Sequence, residues 1–165
     1  MVTDFKRLLL ALVEHDVAFV IIGGVALVLH GSARVTQDLD ICYARDDENL
    51  RRLSNGLTPF LPTLRGAPPE LPFRLDLPTL KAGLNFTLQT AAGDVDLLGE
   101  VSGVGGFAEV ASSAEAQNVY GVRVLVMGLD ALERAKRVAG RLKDLADLAE
   151  IRILRSRRGQ SNNCG

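Results

Sequence analysis

The sequence predicts a mixed α/β protein, a mixed central β-sheet flanked by helices and followed by C-terminal helices. Three observations predict it. Short β-rich apolar runs alternate with helical patterns through residue 57, two strand patterns meet at an Ala-Ala-Gly turn at 91–93, and residues 129–155 show a helical apolar stripe.

From Asp4 to Glu14, Leu8, Leu9, Ala11, Leu12 and Val13 gather mostly on one side of a helix, with Thr3 or Asp4 as N-cap. VAFVIIG, residues 17–23, is too short for a helix and rich in β-formers, which predicts a buried strand. VALVLHG, residues 25–31, is helical in composition and stops at Gly31, where His30 is a favourable cation for a helix C-terminus. DLDICY, residues 38–43, alternates polar and apolar residues as a half-buried strand does. DDENLRRLSNGL, residues 46–57, opens a helix with acids in its first turn. Residues 58–75 hold five of the six prolines and read as an irregular excursion. GLNFTLQTAAGDVDLLGEV, residues 83–101, predicts two strands, and YGVRVLVMG, residues 120–128, predicts another. Two helices then meet near Gly140; one domain covers 1–155, and 156–165 is expected to be a flexible tail.

Composition narrows the class. A hydrophobic fraction of 47% and a charged fraction of 24% fit an ordinary globular chain, and a net charge of −1 gives no general case for nucleic acid. Two cysteines, Cys42 and Cys164, make no disulfide framework, so a reducing, cytoplasmic setting is expected. Neither an export signal nor a membrane-spanning run is visible.

The chemistry lies in GGVALVLHGSARVTQDLDICY, residues 23–43. Side chains two apart on a strand share a face, so Asp38 and Asp40 project together, with Cα atoms roughly 7 Å apart. Two such carboxylates need something positive against them, and a hard divalent cation such as magnesium or manganese accepts oxygen ligands of this kind. GDVDLL offers Asp94 and Asp96 on a later strand; Asp96, flanked by Val95 and Leu97, is the better third acid, while Asp94 follows the turn glycine and either joins the set or only closes that turn. Gly23 and Gly24, at a strand-to-helix turn, would let phosphate oxygens approach the backbone. Arg34, with Thr36 beside it, either neutralises phosphate or pairs with a surface acid. Lys136, Arg137, Arg141 and Lys143 suit a phosphate contact or a solvated helix face, and Arg152, Arg155, Arg157 and Arg158 suit RNA phosphates or a solubilising end. Cys42 has no basic partner in view and reads as a small buried residue.

Gly23-Gly24, a thirteen-residue spacer, Asp38-Leu39-Asp40 and a later apolar-flanked Asp96 resemble the signature of the DNA polymerase β-like nucleotidyltransferase superfamily. GGVALVLHGSARVTQDLDI and KRVAGRLKDLADL are similar to the small bacterial nucleotidyltransferases related to abortive-infection toxins of toxin–antitoxin systems. The resemblance implies a minimal nucleotidyltransferase fold, Mg²⁺ or Mn²⁺ dependence, and transfer of an NMP from an NTP to a hydroxyl of a tRNA, a protein or a small molecule. It implies metal-ligand roles for Asp38 and Asp40, a ligand or base role for Asp96, and triphosphate binding by Gly23 and Gly24. Lys136, and the Lys143-Asp144 pair, resemble the family's C-terminal lysine and lysine-aspartate positions. A cognate antitoxin is the implied partner. A non-catalytic nucleotide- or partner-binding module of the same fold is the alternative.

Overall fold

The computed structural model describes residues 2–162. Helix α1 (Phe5–Glu14) starts where Asp4 accepts a hydrogen bond from the Arg7 amide, satisfying one of the free N–H groups of the first turn. Strand β1 (Phe19–Ile22) is buried throughout, helix α2 (Gly23–Leu29) begins on the glycine pair itself, and strand β2 is Asp38–Tyr43. Helix α3 (Asp47–Leu57) is capped by Asp46, which accepts from the Asn49 amide, and runs into a 3₁₀ turn at Thr58–Phe60. Strand β3 (Thr63–Leu64), helix α4 (Leu77–Ala82), and strands β4 (Asn85–Thr90) and β5 (Gly93–Leu98) follow. A two-residue ladder pairs β6 (Glu100–Val101) with β7 (Gly105–Gly106). Helix α5 (Phe107–Ser112), strands β8 (Glu115–Val119) and β9 (Val122–Val126), and helices α6 (Leu129–Ala139) and α7 (Leu142–Asn162) complete the chain.

Seven strands form one mixed sheet in the order β3-β4-β5-β2-β1-β9-β8, with β2 parallel to β5, β1 parallel to β9 and the other pairs antiparallel. Alternation sorts its faces: Leu39, Ile41, Val95 and Leu97 join Leu8 and Leu12 of α1 and Leu50, Leu53 and Leu57 of α3 in the core. Asp38, Asp40, Asp94 and Asp96 therefore stand on the other face. Among the described residues no helix is long and apolar enough to cross a membrane.

The expected mixed sheet with flanking and C-terminal helices is present, with four differences. The excursion at 58–75 contributes β3 to the sheet edge. Helices α4 and α5 are six residues each, too short to show a helical period. Strand β8, EAQNV, has no apolar alternation because it is a half-exposed edge strand. Helix α7 continues through 156–162, where a flexible tail was expected, and Arg158 there pairs with Glu115 at 3.0 Å. Residues 163–165, with Cys164, lie outside the described residues. His30 is the C-cap of α2 and is buried, with its Nε2 2.7 Å from the Met127 carbonyl and its Nδ1 2.7 Å from Arg158 Nη2.

Candidate active site

Parallel pairing of β2 with β5 puts Asp38 opposite Asp94 and Asp40 opposite Asp96. The in-register match turns two D-x-D segments into a square of four acids. One carboxylate oxygen from each of Asp38, Asp40 and Asp96 lies within 4.8 Å of the others, the one such group among the described residues. Thr3 fastens this end of the sheet, its hydroxyl donating to the Gln37 carbonyl and accepting from the Asp94 amide.

Asp40 is the deepest of the set. Burial, then the charge and hydrogen bonding of Asp96, then the charge of Asp38 push its carboxyl from an ordinary 3.8 up to about 7, while the Lys136 ammonium opposes them. Its Oδ1 is buried without a hydrogen-bond partner among the described residues. A buried, unpartnered carboxylate oxygen facing two other acids is costly unless a cation completes it.

Gly23 closes the back of this group at φ +67°, and a Cβ there would overlap the Asp40 carboxylate. A Cβ on Gly24 would come 2.6 Å from Thr36 Oγ1. No side chain caps α2, so its first N–H groups remain open beside the acids. Gly23→Ala is expected to cost about 1–3 kcal/mol from the left-handed backbone alone and to displace Asp40, which a lower melting temperature would register.

The remaining expected contacts divide. Thr36 sits over Gly24. Arg34 Nη1 is held by Asp147 Oδ1 at 2.7 Å, and Lys136 Nζ lies 2.9 Å from Asp147 Oδ2 and 3.4 Å from Asp144 Oδ1. Asp144 and Asp147 are buried, and Arg141 also binds Asp144, at 2.8 Å. The α6–α7 basic run is thus partly an internal ion cluster rather than a solvated face. Asp144 faces this cluster, whereas Lys143 is exposed. Cys42 is buried, and burial pushes its thiol up to about 11, which removes it as a nucleophile.

Arg65 is the site residue that sequence reasoning missed. Its guanidinium reaches Asp96 Oδ1 at 2.8 Å, Asp94 Oδ2 at 3.4 Å and Asp38 Oδ2 at 4.0 Å. It comes from the proline-rich excursion, where no periodic pattern marks it; only the formation of β3 brings it to the acids. Asp94, expected as either a ligand or a turn residue, faces Arg65 and is not in the close carboxylate group.

No protein-family model matches the chain, and no curated protein matches it in sequence. Several solved structures share its fold. The solution structure of the antibiotic-resistance factor ANT(2'')-Ia is 14% identical with a TM-score of 0.57, covering 96% of this chain and 91% of that one. The crystal structure of a candidate nucleotidyltransferase from Thermotoga maritima is 16% identical with a TM-score of 0.56, covering 91% of this chain and 94% of that one.

Proposed function

We propose that this protein is a divalent-cation-dependent nucleotidyltransferase, moving an NMP from an NTP to a hydroxyl acceptor with loss of pyrophosphate. One observation supports the reading above others: Asp38, Asp40 and Asp96 converge on an open sheet face against a glycine pair that leaves backbone N–H groups free. The three acids fit a hard cation, since Asp40 Oδ1 is buried without a partner. Mg²⁺ or Mn²⁺ held there would lower the pKa of an acceptor hydroxyl and neutralise the leaving pyrophosphate. Asp38 and Asp40 hold the cation. Asp96 is a further ligand or takes the acceptor proton on a carboxylate oxygen. Gly23 and Gly24 give the triphosphate close access to the backbone, and Lys136, already near enough to act on Asp40, adds positive charge.

Sequence resemblance supports a finer proposal: a cytoplasmic toxin restrained by an antitoxin, with a tRNA or protein acceptor. A second reading, a nucleotide-binding module without transfer, draws support from Arg65, which already holds Asp96. Calorimetric titration of the four NTPs with and without Mg²⁺ separates these from a purely architectural role. Cation-dependent binding, lost in Asp38→Ala/Asp40→Ala, is expected; no binding by the wild type would sink both readings. Transfer of an α-labelled nucleotide then divides enzyme from module.

A further inference from the structure

We infer that Arg65 is an internal counter-cation that occupies the carboxylate site ahead of a divalent ion and sets how tightly that ion is held; this rests on the cation-dependent reading above. The placement follows from the sheet. Leu64 pairs with Leu88, the Arg65 amide donates to the Thr87 carbonyl at 2.9 Å, Thr87 lies opposite Asp96, and Asp96 opposite Asp40. Arg65, the residue after β3, thus stands at the end of a row that runs through Thr87, Asp96 and Asp40 across β4, β5 and β2. Along that row the guanidinium passes from the sheet edge to the acids, touching Asp38, Asp94 and Asp96 and leaving Asp40 alone unpaired.

The arginine is held mainly by charge. Its Nη2 donates to Asp96 Oδ1 and to the Leu88 carbonyl, both at 2.8 Å, while its buried Nε faces Asp94 Oδ2 at 3.4 Å without hydrogen-bond geometry. Asp96 belongs both to the arginine's partners and to the close carboxylate group, so guanidinium and divalent ion face each other across one carboxylate. Two cations at that separation repel, and one gains at the other's expense. Arg65 therefore stabilises the ion-free protein and weakens ion binding. Loading the site works against the Arg65–Asp96 pair.

Full-length wild type, Arg65→Gln, Arg65→Ala and Arg65→Lys are titrated with Mn²⁺ by calorimetry and melted in chelator. Both neutral variants should melt several degrees below wild type without metal yet bind Mn²⁺ at least tenfold more tightly. Arg65→Lys, which retains the charge, should bind within about threefold of wild type. Equal or weaker Mn²⁺ binding by the neutral variants beside a wild type that binds would overturn the inference and make Arg65 a brace for Asp96. No Mn²⁺ binding by any of the four overturns the cation-dependent reading as well. Binding by the neutral variants alone supports the inference in its strongest form.

Discussion

Asp40→Asn should abolish nucleotidyl transfer, by several orders of magnitude, while raising the melting temperature of the metal-free protein at pH 8 by about 5–10 °C. The two effects have one cause. Asp40 is crowded against Asp96 and Asp38 with a buried, unpartnered oxygen, and its carboxyl is pushed up to about 7 from 3.8. Below pH 3.8 the group is neutral in both folded and unfolded chains, and the fold bears no ionisation cost. Between pH 3.8 and about 7 the folded protein keeps a proton that the unfolded chain has released, so stability falls as pH rises. Above 7 the loss is complete, up to about 4 kcal/mol at 1.36 kcal/mol for each pH step.

Asparagine has the same shape and does not ionise, so its advantage should be present at pH 8 and absent at pH 4. Adding Mg²⁺ should reverse the ranking at pH 8, because only the wild type offers the full carboxylate set to the ion. Melting curves of both proteins at pH 4 and 8, with chelator or Mg²⁺, check every arm. A variant less stable than wild type at pH 8 in chelator would show that the charge on Asp40 is not the strained feature described here.

How much of this was legible beforehand depends on the kind of signal. Asp38 and Asp40 could be placed on one face because strand alternation is local, and the mixed sheet was legible because β1, β2, β4, β5 and β9 each have their own apolar pattern. Asp96 could be named from its apolar neighbours, but its match with Asp40 depends on a strand register that no local pattern encodes. Arg65 was invisible for the same reason: β3 is two residues long and exists only as the partner of β4. Strand β8 and helices α4 and α5 were missed because an exposed edge and single helical turns leave no periodic trace. Arg34 and Lys136 were legible as charges; their pairing with Asp147 was not, because it needs α7 folded back onto α6.

That fold-back supports the second large effect. Asp147→Ala should lower the melting temperature by about 6–12 °C, since it leaves Arg34 without its carboxylate and Lys136 with Asp144 alone, here about 3 kcal/mol. Asp147 is buried and binds Arg34 at 2.7 Å and Lys136 at 2.9 Å, joining the loop before β2 and helix α6 to α7, whose Ile151 and Leu154 are also buried. Asp144, next to it, is held down to about 2 by its hydrogen bond from Arg141, with Lys136 assisting. A depressed carboxyl contributes stability in full above 3.8 and loses it as pH falls through 2, the opposite direction from Asp40. The two groups pull in opposite directions, and Asp76, Glu115 and Glu133, whose carboxyls are also lowered by hydrogen bonds, act with Asp144 on the acid limb. Asp144→Asn should make the acid limb shallower, and Asp40→Asn should flatten the alkaline limb. Circular dichroism melts from pH 2 to 8 test this; an Asp147→Ala protein within 1 °C of wild type would show that α7 docks by its apolar face and that the ion cluster adds nothing to the fold.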